Sequence, residues 1–358
     1  METKKNKGLF SKILIIFIIL GLLLSIILSI SDFELVIEKL KETNVFWMLL
    51  SAVISILSVV VLSISNQVAL RSLDKNITYF DGFLVQTTEP FFSGITPFGS
   101  GAQPFQIYEM VKKGARSDVA SAVSLVNFIV FQTVTVIILI ISLIIYWNEL
   151  WAGMGYNIFY ILAGIFFNTI ILVLLLLLGY AKGFGKFVTK ILLFFQKYRW
   201  SKKWATRGLE KADIFIENFQ TGVKVLMPKK RILIASTLLK IVSFILKYGS
   251  IIFVLIALGH SLTPSEYLYL TAASFIAINA MMWVPLPGAS GGTEFALGMM
   301  LNAIPLFYGG VKNPILIIVL LLWRFITYYL QLIIGFIAYL LLKRKNKKND
   351  ELINSEEN

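Results

Sequence analysis

Cysteine is absent from all 358 residues, and the single histidine is His260. The first absence excludes disulfides, thiolate nucleophiles and Cys-ligated metals. The second leaves a His-based metal site or catalytic triad without its parts. No Walker sequence and no dinucleotide fingerprint occurs, so no nucleotide is implied. No cofactor and no metal are therefore expected. Charge is scarce as well, at 15% of residues against 57% hydrophobic. A soluble domain cannot hide that much apolar surface, so the chain reads as a polytopic membrane protein. Acidic residues are outnumbered, 20 to 33, for a net charge of +13. In a membrane protein that excess marks cytoplasmic loops facing anionic lipid, and no nucleic-acid partner is expected.

The apolar runs define an all-α bundle of about eight spans with a re-entrant hairpin and a broken helix. Ile13–Ile30 follows a lysine-rich start, is long for a signal core and lacks a small-residue cleavage site, so it reads as an uncleaved first span. Val45–Leu70 is the second. Phe80–Tyr108 is moderately apolar, with basic residues at both ends, which argues for a re-entrant hairpin. Val119–Trp147 and Ile158–Tyr180 complete a first half, residues 1–180. Residues 181–231 interleave Lys and Arg with Phe and Trp, the composition of amphipathic helices in the headgroup layer. The second half, residues 232–343, holds Ile232–Leu258, Tyr267–Val284, a short crossing at Thr293–Leu306 and the last run, Ile315–Leu342. Residues 344–358 form a polar tail, expected to lack structure beyond Asn349. The basic run from Lys343 to Lys348 and the lysine-rich start put both termini on the cytoplasmic side.

Two stretches break the helical pattern with Pro and Gly: Thr88–Tyr108 and Val284–Phe295. Aligning Pro97 with Pro287 also aligns Ser100 with Ser290, Gly101 with Gly291 and Phe105 with Phe295. Non-helical backbone at membrane depth is tolerated where protein buries it or where it lines a wet cavity. Paired broken segments in two halves point to a transport site. Ser100 and Gln103 make an S-x-x-Q capping pattern, which predicts a helix over Ala102–Lys112. Gly99, Gly101, Gly288, Gly291 and Gly292 would let backbone approach a ligand, with N–H groups free to cradle a phosphate.

Charges inside spans cost roughly 2.5–3.5 kcal/mol each on insertion scales and need a reason. Arg324 is the clearest case, suited either to bidentate phosphate binding or to a helix-end carbonyl. Glu294, at a helix start, either complements the helix dipole or fixes a cationic headgroup, and Glu89 admits both roles. Glu109 reads as interfacial beside Lys112 and Lys113. Lys240 and Lys247, seven apart, share a face and read as snorkelling side chains. Asn127, Gln132 and Asn279 read as interhelical glue.

Three segments together resemble the membrane domain of the lysylphosphatidylglycerol synthase/flippase family: Thr96–Phe105 with Tyr108, Pro287–Glu294, and Trp323–Phe336. The resemblance covers essentially the whole chain. The family's last motif corresponds here to Arg324, Thr327, Tyr328 and Gly335, with a departure at Gln331 and Leu332, where a proline is common. Bifunctional members add a soluble domain that loads lysine onto phosphatidylglycerol; only a short polar tail follows the last span here. The resemblance thus implies the translocating half: a flippase that moves a phospholipid such as lysyl-phosphatidylglycerol to the outer leaflet of a bacterial plasma membrane, supporting resistance to cationic antimicrobial peptides. In that reading Arg324 and the glycine amides take the phosphate and Glu89 and Glu294 the amines, with Pro97, Ser100 and Gln103 among the substrate-binding residues. A phosphatidylglycerol lysyltransferase, or a scaffold for a separate lysyltransferase, is the alternative. The transferase would need an activating base or a metal, and neither motif is present. A second copy of the chain is a further candidate partner.

Overall fold

A computed structural model describes residues 38, 40–73, 76–181, 183–198, 202–226, 228–310 and 313–356. The expected first span lies outside them. No strand occurs among the described residues. The first half contains α1 (Val45–Arg71), α2 (Tyr79–Thr87), α3 (Glu89–Gly94), α4 (Ala102–Lys112), α5 (Ser117–Ile145), α6 (Trp147–Met154) and α7 (Ile158–Tyr180). Then come α8 (Phe184–Gln196) and α9 (Lys202–Leu226). The second half contains α10 (Lys230–Ala257), α11 (Pro264–Ala280), α12 (Gly292–Leu301), α13 (Pro314–Arg324) and α14 (Leu330–Glu356). Five stretches are long and apolar enough to cross a bilayer: α1, α5, α6–α7, α10 and Pro314–Asn346. The molecule is an all-α polytopic membrane bundle.

Local chemistry sets the helix ends. Asn44 caps α1, its Oδ1 accepting from the amides of Phe46 and Trp47 at 3.0 and 3.4 Å. The Asn44 amide donates to the Ala257 carbonyl at 2.7 Å, which pins the start of α1 to the end of α10. The two helices therefore run antiparallel. Serines spaced by seven stitch them together: Ser51 Oγ donates to the Ser250 carbonyl, Ser243 Oγ to the Ser58 carbonyl, and Ser65 Oγ to the Ser236 carbonyl, all at 2.7–2.8 Å. Lipid tails provide no hydrophobic drive for helix pairing, so small residues and hydrogen bonds carry it. Thr263 and Glu266 form a capping box at the start of α11, with Pro264 in the first turn.

α2, α3 and α4 form the first hairpin. The predicted helix over Ala102–Lys112 is α4, to the residue. Its cap differs from expectation. Ser100 Oγ donates to the Pro97 carbonyl at 2.9 Å, and the Gly101 amide donates instead to Thr96 Oγ1 at 2.9 Å. Thr96, extended ahead of a proline, is the residue whose hydroxyl reaches the tip.

α11 and α12 form a second hairpin. At 1.5 Å per residue the ten residues of α12 reach about 15 Å, half of a hydrocarbon core of about 30 Å. Thr293–Leu306 is therefore a return arm and not a crossing. Tyr269, early in α11, donates its hydroxyl to the Met300 carbonyl late in α12 at 2.8 Å, so the arms run antiparallel. Two expected crossings become one re-entrant pair, and the even parity of the remaining spans is kept.

The last span relates the hairpins. It starts beside the open end of the second, where Asn313 Nδ2 donates to the Leu306 carbonyl at 2.8 Å. It ends at the base of the first, where Lys345 Nζ meets Asp81 Oδ2 at 2.8 Å and Asn346 Nδ2 donates to Glu109 Oε2 at 3.1 Å. The hairpins thus enter the bundle from opposite ends. Glu109 is buried against this span, not interfacial, and the span stays helical to Glu356, where a structureless tail was the expectation. The apolar core divides accordingly. One part gathers α5, α6, α7, α10, α11, α12 and α13; the other gathers α1, α2, α4, α5, α9 and α14.

Two outcomes test this packing. At Gly164 an added Cβ would strike the Ala280 carbonyl, where α7 meets the end of α11. Gly164→Ala is expected to destabilise the protein by about 1–3 kcal/mol, as overpacking does, read as a lowered melting temperature in detergent. At the base of the first hairpin, burial would raise the Asp81 carboxyl, but Lys345, Thr78 and Lys113 together hold it below the usual aspartate value. A carboxyl lowered by folding stabilises above its unfolded value and loses that contribution as pH falls through the folded one. Asp81→Asn should lower the melting temperature at neutral pH and match the unsubstituted protein below the ordinary aspartate range.

Candidate functional site

The two broken motifs share a backbone as well as a sequence. Thr96 and Leu286 are both extended, at φ/ψ of −118/143° and −112/149°. The prolines follow, then two left-handed residues each: Phe98 at 56/17° and Gly288 at 61/18°, then Gly99 at φ 65° and Ala289 at φ 51°. Ser290 Oγ donates to the Pro287 carbonyl at 2.9 Å, repeating the Ser100 bond. The backbone likeness ends at these serines, where ψ is −10° at Ser100 and 140° at Ser290, and the glycines that follow differ too, with φ −85° at Gly101 and +85° at Gly291. The tips meet, with Gly99 lying against the Met282 side chain. Left-handed Phe and Ala are uncommon, and such strain concentrates at functional sites.

One turn of the last span joins both tips. Arg324 is 3% exposed. Its Nη2 donates to the Gly288 carbonyl and to Ser290 Oγ, the latter at 3.2 Å, and its Nε lies 2.8 Å from Glu294 Oε1. That last contact is an ion pair without hydrogen-bond alignment. Glu294 Oε2 accepts from the Gly291 amide at 2.8 Å and from Thr293 Oγ1 at 2.7 Å. The guanidinium also lies 4.2 Å from the Tyr328 ring centroid. Tyr328 donates its hydroxyl to the Gly94 carbonyl of the first hairpin at 3.0 Å, and its ring presses on Gly288 of the second, where a Cβ would not fit.

Between Arg324 and α14 the helix widens into a π turn, Phe325–Tyr329. The departure from the proline-bearing motif, at Gln331 and Leu332, follows it in the first turn of α14. The Ile326 carbonyl accepts from Ser55 Oγ at 2.8 Å, and Gln331 Nε2 donates to Ser55 and Ser58 at 3.0 and 3.1 Å. α1 thus satisfies polar groups around a widened turn of the kind often found at functional sites.

A second group of charges lies against the first hairpin. Lys240 is fully buried and donates to Ser65 Oγ, Asn66 Oδ1 and Ser236 Oγ at 2.9–3.0 Å. Asn66 Nδ2 donates to Glu89 Oε2 at 3.1 Å, so Asn66 bridges the lysine and the carboxylate. Lys247, seven residues further along the same helix, is half-buried, with its ammonium 5.7 Å from the Tyr248 ring centroid. Lys240 therefore does not snorkel. Asn127, donating to the Asn66 carbonyl at 3.1 Å, and Gln132 and Asn279, tied to α7 through Asn168, act as the expected glue.

Of the residues singled out in the sequence, Glu89, Gly288, Gly291, Glu294 and Arg324 lie in or beside this charged seam. Pro97, Gly99 and Ser100 form the first tip, where Pro97 and Ser100 are exposed. The Gln103 side chain makes no hydrogen bond among the described residues, and Gly292 packs inside its own hairpin against Val284. The amides of Gly99, Gly101 and Gly291 are already engaged by the Thr96 carbonyl, the Thr96 hydroxyl and Glu294. At these three of the five glycines the expected open amides are taken up by internal bonds. Sequence reading passed over Ser65 and Asn66 and gave Lys240 a snorkelling role in place of a buried one. The signal available was the serine stripe of α1, with Ser51, Ser58 and Ser65 on one face.

The family described as lysylphosphatidylglycerol synthase TM region matches residues 12–335. The chain belongs to this family. Among relatives of this lysylphosphatidylglycerol synthase membrane-region chain is the uncharacterized protein MG306 homolog of Mycoplasma pneumoniae, 22% identical over 97% of this chain and 92% of the relative. MG306 of Mycoplasma genitalium is 20% identical over 94% and 88%. A UPF0104 membrane protein of Archaeoglobus fulgidus is 22% identical over 91% and 96%. No solved structure matches.

Within this family member the Arg324–Glu294 pair has a measurable consequence. Removing one partner of a buried pair strands the other and costs about 3–5 kcal/mol. Arg324→Gln and Glu294→Gln are each expected to lower thermal stability. The double variant should lose less than the sum, giving a coupling of about 0.5–3 kcal/mol in a double-mutant cycle.

Proposed function

We propose that this chain is a lipid translocase. It moves a phospholipid headgroup between leaflets along the seam where the two hairpin tips meet, with lysyl-phosphatidylglycerol or a related phospholipid as cargo. Its setting is a bacterial plasma membrane, with both termini on the cytoplasmic side, and outward display of an aminoacylated lipid would support resistance to cationic antimicrobial peptides. The barrier to flipping is the loss of headgroup hydration in hydrocarbon, and fixed polar partners lower it. One observation carries the reading: Arg324 is bonded to the second tip while Tyr328, one turn later, is bonded to the first. A small shift of that turn changes which hairpin it holds, and the hairpins open to opposite ends. The Arg324–Glu294 pair and the Glu89–Asn66–Lys240 group supply fixed polar partners beside the two hairpins.

Reconstitution in liposomes carrying fluorescent phospholipids of different headgroup charge tests this. The intact chain is expected to expose labelled lipid to an added quencher far faster than empty vesicles. Arg324→Gln, losing a charge-assisted contact worth about 1.5–3 kcal/mol, should slow exposure roughly tenfold to a hundredfold. Equal rates with and without protein would remove the translocase reading.

A further inference from the structure

The two helices that link the halves differ in kind. α9 ends inside the bundle: Val223 and Leu226 are buried, Gly222 lies against Ala122 of α5, and Gln220 Nε2 donates to the Leu178 carbonyl of α7 at 3.1 Å. α8 lies antiparallel on α9. Gly185 meets Ile216, Leu192 meets Gly208, and Gln196 Nε2 donates to Thr206 Oγ1 at 3.1 Å. These contacts use one face of α8. On another face, Phe187, Ile191 and Phe194, spaced by four and three, form an apolar stripe that Tyr198 extends just past the helix end. These four side chains are 39–54% exposed. Lys186, Lys190 and Lys197 form a second exposed stripe directly beside the first. Residues 181–203 carry seven Lys or Arg and no Asp or Glu, whereas α9 includes Glu210, Asp213 and Glu217. α7 ends at Tyr180 and α8 begins at Phe184. Four residue steps reach about 14 Å at most, so α8 starts close to the surface of the bilayer that α7 crosses.

We propose that α8 is a docking surface for an anionic lipid leaflet, with Phe187, Ile191 and Phe194 among the acyl chains and Lys186, Lys190 and Lys197 among the phosphates. The expectation of headgroup-layer helices across residues 181–231 thus narrows to α8. Each stripe alone fits several surroundings, and the two together fit few. In water the apolar stripe would remain hydrated at a cost. On a zwitterionic surface the lysines would gain no net attraction. An anionic bilayer surface satisfies both, the acyl chains taking the rings and the surface potential holding the ammonium groups. A second copy of the chain fits less well. A two-fold pairing of the same face sets the lysine stripes of both copies close together. The short tether from α7 also keeps α8 where lipid is the most abundant neighbour. Docking holds one arm of a hairpin whose other arm ends against α5, so the charge of the leaflet is felt inside the bundle. The site holds whether or not the chain moves lipid.

The absence of cysteine makes the test direct, because one introduced thiol labels one position. Ile191→Cys, and separately Phe194→Cys, would carry a fluorophore in the full chain. Glu217→Cys, exposed on α9, is the control. Each protein is placed in nanodiscs of phosphatidylcholine with or without phosphatidylglycerol. Quenching is read from spin-labelled acyl chains and from aqueous iodide. With phosphatidylglycerol present, acyl-chain quenching at both α8 positions is expected to rise roughly threefold and iodide quenching to fall, both reversed by high salt. The Glu217 position should report water in either lipid. Replacing Lys186, Lys190 and Lys197 together by Gln should remove the dependence on phosphatidylglycerol, and replacing them by Arg should keep it. Both combined variants change only exposed side chains, and an unshifted melting temperature in detergent confirms their fold. Equal acyl-chain quenching with and without phosphatidylglycerol, or a dependence that survives the three Gln substitutions, overturns the proposal. Protection from iodide in detergent that rises with protein concentration assigns the face to a second copy and also overturns it.

Discussion

A guanidinium far from water must be answered by fixed charge and fixed dipoles, and here those answers come from a different part of the chain. Arg324 draws on the Gly288 carbonyl, the Ser290 hydroxyl and the Glu294 carboxylate, all from the second hairpin. Glu294 in turn is held by the first free amide of its own helix and by Thr293. The pair therefore locks the second tip to the last span. Tyr328, stacked under the same guanidinium, carries the lock across to Gly94 of the first hairpin. Without this chain of contacts the two tips would have only brief loop packing to keep them together.

The surrounding helices are arranged so that this polar centre can exist. α1 and α10 approach closely through serines on a seven-residue repeat, which leaves room for hydroxyls to bond across the gap. The same stripe then serves the interior. Ser65 and Ser236 hold Lys240, and Ser55 and Ser58 serve the π turn and Gln331. Polar residues that glue helices together and polar residues that line the seam are thus continuous. The apolar core is split in two, one part around each hairpin, with α5 contributing to both. Such a division suits a protein in which each hairpin is carried by its own packed unit while the contact between tips stays polar and small.

Much of this was legible in one dimension. Apolar length and basic flanks mark the spans. Proline and glycine at Pro97, Gly99, Pro287 and Gly288 mark where helices break, because these residues restrict or release backbone dihedrals whatever surrounds them. The boundaries of α4 followed from such punctuation. Arg324 stood out because a charge in an apolar run is expensive wherever its partner is. The reading failed where an outcome depended on a neighbour distant in sequence. Lys240 reads as a snorkelling residue until Asn66 and Ser65 are seen beside it. Glu109 reads as interfacial until Asn346 covers it. α12 reads as a crossing until Tyr269 shows that it folds back on α11.

Composition and pattern alone determined the solvent of this protein, its helical class, the twin breaks and the presence of a buried cation, since each follows from the local cost of placing a residue in hydrocarbon. Tertiary structure alone decided that the breaks face each other from opposite ends, that the amides of Gly99, Gly101 and Gly291 are occupied, and that Lys240 is bonded inside the bundle. Those outcomes turn on which dipoles meet across a gap of a few ångströms. Hydropathy reports how deep a residue lies; it does not report what lies opposite.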